Sequence, residues 1–85
     1  MTIRNRAIAK RWMKKASKRE LLEVMEEAML TPLQRDIIIL RRKDESIVAV
    51  SLTEKFSISK INKEIAKARE SVSHALKAMG KLETI

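Results

Sequence analysis

Apolar residues along the chain recur at three- and four-residue steps rather than at alternate positions, which predicts helices throughout. Ile8, Ala9, Trp12, Met13 and Ala16 form one narrow stripe, so residues 3–16 are expected to be helical and basic over most of the remaining circumference. Trp12 is expected to pack this helix onto the rest of the domain. Ser17, with Glu20 three residues on, matches a capping box and predicts a second helix over 18–30. Its inward residues are expected to be Leu21, Leu22, Met25, Ala28 and Met29, with Glu23, Glu26 and Glu27 as a solvated face. A lone serine does not by itself break a helix, so one bent rod remains open beside two separate helices.

Thr31-Pro32 is the sharpest punctuation in the chain. Thr31 can cap, Pro32 suits the first helical position, and Gln34 completes a second capping box. A helix over 32–43 follows, with Leu33, Ile37 and Leu40 buried and Ile38 or Ile39 beside them. Arg41, Arg42 and Lys43 fall in its last turn, where cations suit the helix dipole; a phosphate clamp is the other reading. Residues 44–56 mix strand-forming Ile47, Val48, Val50 and Leu52 with no turn pair that could close a hairpin, so a helix over about 45–55 is expected.

Ser59 then offers the next cap, for a helix over about 60–80 that ends at Gly80, the only glycine. Ile58, Ile61, Ile65, Ala68, Val72, Ala75, Met79 and Leu82 step alternately by three and four, an a/d pattern of about three heptads. That stripe serves either as a dimer seam or as the core face of a globular domain. The expected fold is therefore all-α with four to five helices, in one compact domain whose parts are residues 1–30 and 31–85.

Composition narrows what such a bundle can do. The first nineteen residues, MTIRNRAIAKRWMKKASKR, hold eight Lys or Arg and no acid, while the remainder carries eleven of each sign, so the net charge of +8 resides in this arm. A basic, acid-poor start also suits a transit peptide or a membrane-surface helix. Serine is scarce, however, and the apolar stripe is too narrow for a membrane face. No apolar run approaches the roughly 18 residues of a membrane span, nor does the start hold a secretory core. With no cysteine there are no disulfides or thiolate metal sites.

Candidate chemistry is sparse. The chain has one histidine, no tyrosine and no glycine-rich loop to cradle a phosphate, so no enzyme activity, cofactor or metal is expected. His74 has no metal-ligand partner a turn away and reads as a surface or groove-facing residue. The aromatics are Trp12 and Phe56 alone, too few for the stacking platforms of single-stranded RNA readers. Cations and helices are what duplex DNA requires.

Two stretches resemble bacterial helix-turn-helix regulators. LTPLQRDIIILRR, Leu30 to Arg42, is similar to the opening helix of the DNA-binding domain in sigma-factor region four and in response-regulator activators. In that frame residues 45–56 are the supporting helix, and Phe56-Ser57-Ile58-Ser59 stands where those families have a Leu-Gly-Val-Ser-like turn. Four residues beyond Ser59, at an apolar position of the family, stands Lys63. ARESVSHALKAMGKLETI, Ala68 to Ile85, resembles the recognition helix and exit of winged-helix regulators, including the cyclic-AMP receptor family. That second frame needs a turn near Ala68–Glu70; otherwise the helix runs through. The arm is also similar to a basic leucine-zipper contact region, with Asn5 followed by Ala9 but Met13 in place of an arginine.

These resemblances imply a sequence-specific, double-stranded-DNA-binding transcriptional regulator. Arg4, Arg6, Lys10, Arg11, Lys14, Lys15, Lys18 and Arg19 are expected to contact phosphates. Bases are expected to be read by Lys60, Asn62, Lys63 and Lys67 in the first frame, or by Arg69, Ser71, Ser73, His74 and Lys77 in the second. Half-site logic implies a homodimer on a palindrome, with RNA polymerase as a further partner and a cytoplasmic, nucleoid-associated location. Small size and basicity suit a plasmid-, phage- or virus-encoded regulator. A nonspecific architectural DNA binder and a polymerase- or sigma-binding adaptor are the alternatives.

Overall fold

Four hydroxyl side chains, Ser17, Thr31, Ser46 and Ser57, set where four of the helices begin. Each sits in extended backbone and accepts a hydrogen bond from the amide three residues on. A computed structural model describes residues 3–81, with side chains described from Ala7. Its helices are α1 (Ile3–Lys15), α2 (Lys18–Glu27), α3 (Pro32–Arg42), α4 (Ile47–Glu54) and α5 (Ile58–Ala78). The fold is all-α with five helices, and the described residues form no strand.

The bent rod is excluded by Ser17. Its Oγ accepts from Glu20 N and Glu20 Oε1 accepts from Ser17 N, both at 3.2 Å, so the cap outcompetes a continued helix. Arg42 in the last turn of α3 donates to the Ala16 carbonyl, placing a cation at the end of α1. The second box is equally complete, with Thr31 and Gln34 exchanging two bonds of 3.1 Å.

Packing revises several expected faces. In α2, Leu21, Val24 and Met25 are buried, whereas Leu22 is exposed and Met29 is 85% exposed. Met29 adopts φ 55°, which ends the helix and swings its side chain outward while Leu30 turns in. In α3, Ile37 and Ile38 are buried; Leu33, Ile39 and Leu40 are half-buried. The ambiguous stretch is helical, and α4 is inserted through Val50 with Ile47 against the same cluster.

α5 is the element that the other helices share. Toward its start, Ile61 and Ile65 join Ile37 of α3 and Val50 of α4. Toward its end, Ala68, Val72, Ala75 and Leu76 join Ala9 and Met13 of α1, Leu21, Val24 and Met25 of α2, and Ile38. The 61–75 stripe is thus the core of one chain, and it leaves no seam for a dimer. Only the outlying Ile58 and Met79 are exposed, and Leu82 lies outside the described residues.

The cap of α5 is Ser57, two residues before the expected Ser59, because Lys55 at φ 61° turns the chain first. The helix then runs without interruption through 68–70, so the turn required by the winged-helix frame does not exist. It closes as a Schellman motif, with Gly80 at φ 71° donating to Lys77 O at 3.1 Å and Lys81 donating to Leu76 O at 2.8 Å.

Candidate nucleic-acid interface

The long α5 leaves one side uncovered. Ser59, Asn62, Lys63 and Lys67 are exposed along its first half, with His74 and Lys77 beyond them. Behind this face the helix is fixed by α3 and α4 through Ile61 and Ile65, so the uncovered residues stand on a rigid support. The turn that leads into it is short and internally bonded. Phe56 N donates to Ser51 O at 3.2 Å, and the Ser51 hydroxyl donates to the Phe56 carbonyl.

Glu64 organises the inner edge of that face. Its side chain is 9% exposed, and Oε2 accepts from Gln34 Nε2 at 3.1 Å. Lys60 Nζ lies 3.2 Å and Lys67 Nζ 3.8 Å from the other carboxylate oxygen. The Gln34 hydrogen bond holds the Glu64 carboxyl below its ordinary pKa; burial opposes it and the two lysines add to it. One carboxylate therefore tethers two of the expected base readers at positions 60 and 67.

The expected readers divide by burial. Asn62, Lys63, His74 and Lys77 are exposed, and Lys60 and Lys67 are exposed but paired with Glu64. Arg69 and Ser71 are half-buried. Ser73 is 3% exposed and so cannot meet a base edge, because the buried arc of α5 widens where α1 and α2 pack on its second half. No sequence period marks that widening.

The basic arm is a docked helix. Ala9 and Met13 are buried against α5, and Trp12 packs half-buried on the same cluster, as expected. Lys10, Arg11, Lys14, Lys15, Lys18 and Arg19 are exposed, while the side chains of Arg4 and Arg6 lie outside the described residues. Arg19 and Glu23 form a surface pair at 3.8 Å, of the kind that contributes little. Lys10 and Lys14, one turn apart, face a cleft shared with Arg41 and Arg42 of α3 and Arg69 of α5. In the sequence Arg41 and Arg42 read as a helix terminus or a phosphate clamp; their convergence with α1 and α5 was not legible there.

Among the described residues no group of three or more His, Cys, Asp or Glu is placed to hold a metal ion. No helix among them is long and apolar enough to cross a membrane. Set against protein-family models, curated proteins and solved structures, the chain matches none.

Proposed function

We propose that the chain is a sequence-specific duplex-DNA-binding regulator of transcription, in which α3, α4 and α5 form a helix-turn-helix unit. The first half of α5 enters the major groove, and the exposed cations of α1 and the α1–α2 junction contact the phosphate backbone. The observation that carries this reading is the short turn at Lys55–Ser57, which delivers the exposed Ser59, Asn62, Lys63 and Lys67 face of α5 on an apolar support.

Placing the turn serine at Ser57 also supports the likeness to sigma-factor region four and response-regulator activators. Four residues beyond Ser57 is Ile61, which is fully buried, as that family's apolar position requires. Asn62 suits a bidentate contact to adenine and Lys63 a guanine edge. The cations supply affinity that falls with salt, and six phosphate contacts give a log–log slope of about −5. A homodimer on a palindrome extends the short half-site that one α5 reads, and it uses a surface other than the 61–75 stripe.

A gel shift of the full chain with selected and scrambled duplexes, across a salt series, tests the proposal. Preferential retention of the selected duplex is expected; equal competition by scrambled DNA leaves only an architectural binder. One observation favours a second reading, an adaptor for a polymerase or sigma subunit. Leu52 is 74% exposed, and Val48, Phe56 and Ile58, close to it along the chain, are exposed as well. Absence of any shift at low salt, together with binding to the polymerase, identifies that case.

A further inference from the structure

The cleft between α1, the end of α3 and α5 has no role in base reading, yet it concentrates charge. Lys10, Lys14, Arg41, Arg42 and Arg69 line it against a single carboxylate, Asp44. Its volume is about 190 Å³, and Met13, Ile38 and Ile65 give it an apolar floor. Arg41 Nε, Arg42 Nη1 and Arg69 Nε are buried with no hydrogen-bond partner among the described residues. Burial, and then the neighbouring Arg41, disfavour the charge of Arg69. Three half-buried arginines, each with one buried nitrogen left unpaired, line the same cleft, an arrangement that a bound anion would balance.

Two of those arginines are already fixed. Arg41 Nη1 donates to Glu45 O at 2.7 Å, and Arg42 Nη2 donates to the Ala16 carbonyl. Their planar groups are thereby oriented before any ligand arrives, which lowers the ordering cost of binding. The chemistry suited to several arginines and two lysines at one apolar-floored cleft is a tetrahedral oxyanion.

We propose that this cleft is a binding site for a single phosphate group, supplied either by the backbone of a DNA duplex or by free phosphate in solution. The duplex source rests on the DNA-binding reading, and the free source does not. Position favours the duplex source. Asn62 and Arg69 are seven residues apart on an unbroken helix, two turns, so the cleft adjoins the stripe that begins at the exposed reading face. A phosphate held there fixes the register of α5 in the groove.

The experiment uses the full chain in two arms, with Arg69→Gln and the surface variant Lys14→Gln, each checked for helicity by circular dichroism. In the first arm inorganic phosphate is titrated at constant ionic strength against chloride and followed by amide chemical shifts and melting temperature. A saturable response of the wild type that weakens in the variants upholds the site with a free-phosphate source. In the second arm duplex binding is measured across salt. A loss of about tenfold for Arg69→Gln, with a log–log slope smaller by about one for Lys14→Gln, upholds the backbone source. If Arg69→Gln does not fold, Arg41→Gln takes its place in both arms, since Lys14 contacts duplex phosphates as an exposed cation of α1 whether or not the cleft binds one. A phosphate response unchanged in the folded variants places the anion elsewhere and overturns the proposal. Wild-type duplex affinity and slope in those variants, together with no phosphate response, overturn it too. Should the wild type shift no duplex, the DNA reading fails and the phosphate arm alone decides the site.

Discussion

Gln34 on α3 donates through Nε2 to Glu64 Oε2 on α5 at 3.1 Å, a buried hydrogen bond that joins positions thirty residues apart. The same Gln34 side chain accepts from Thr31 N through Oε1 at 3.1 Å. One amide therefore closes the capping box of α3 with its oxygen and anchors α5 with its nitrogen. The angle at which the exposed face of α5 is presented depends on this residue as well as on Ile37 and Ile61.

Glu64→Ala leaves the Gln34 amide unpaired and is expected to cost about 1–3 kcal/mol, read by urea unfolding. The acid dependence follows from the lowered carboxyl. A folded-state pKa below the ordinary 4.5 contributes stability that is present above that value and lost as pH falls through the folded pKa. Melting temperatures followed from neutral pH into the carboxylate range should show a shallower acid limb for Glu64→Gln. Glu20, held low by its bonds with Ser17, keeps part of that limb in place. An unchanged limb is incompatible with the tether.

The cap of α5 is tested by two neighbouring serines. Ser57 accepts from Lys60 N at 3.1 Å, so Ser57→Ala should cost about 1 kcal/mol in stability. Ser59 is exposed within the helix, and Ser59→Ala should change unfolding by no more than about 0.5 kcal/mol. Equal effects, or the reverse order, contradict the turn as described.

Lys55 holds φ 61° with a side chain that costs energy in the left-handed region. Lys55→Gly should therefore raise stability by about 1 kcal/mol without moving the turn, measurable as a higher melting temperature. The gain should be smaller for Lys55→Asn, the next most tolerant residue there. Destabilisation by glycine would show that the lysine side chain holds the turn through contacts.

The a/d stripe separates core from surface residue by residue. Ile61→Ala, fully buried, should cost about 2–5 kcal/mol, whereas Met79→Ala and Ile58→Ala at the exposed ends should each cost less than about 1 kcal/mol. Sedimentation of the same variants should show no change in association state attributable to the stripe. A dimer dissociated by Ile58→Ala or Met79→Ala would mean that the ends of the stripe extend into an interface.

Binding and reading should separate on different helices. Asn62→Ala is expected to reduce discrimination at one base position by about 1–3 kcal/mol while leaving nonspecific affinity near wild type. Lys15→Gln should weaken all duplexes alike and reduce the log–log salt slope by about one. Competition titrations with single-base variants of the selected duplex distinguish the two patterns. A uniform loss from Asn62→Ala reassigns it to backbone contact.

Approximate helix positions, and the caps of α2 and α3, were legible in the chain because capping and periodicity act within one turn. Ser17 with Glu20 and Thr31 with Gln34 can be paired from spacing alone, and the concentration of charge before Glu20 needs no fold to be seen. Apolar spacing likewise supplied the 61–75 stripe. What it faced was undetermined, since an a/d pattern satisfies a partner chain and a set of neighbouring helices of the same chain equally well. Docking of α1 and α2 on the second half of α5 decided that question. It also buried Ser73 and selected Val24 over Leu22.

The choice of Ser57 over Ser59 followed from the left-handed Lys55, a backbone state that a lysine codon does not announce. The cationic cleft is the furthest from sequence reasoning, for it brings together residues 10–14, 41–42 and 69 through α1 docking on α5 and the Arg42 bond to Ala16. Local rules therefore settled the helices and the placement of charge. Tertiary packing settled which faces meet and where the charges converge, because those depend on contacts between residues far apart in the chain.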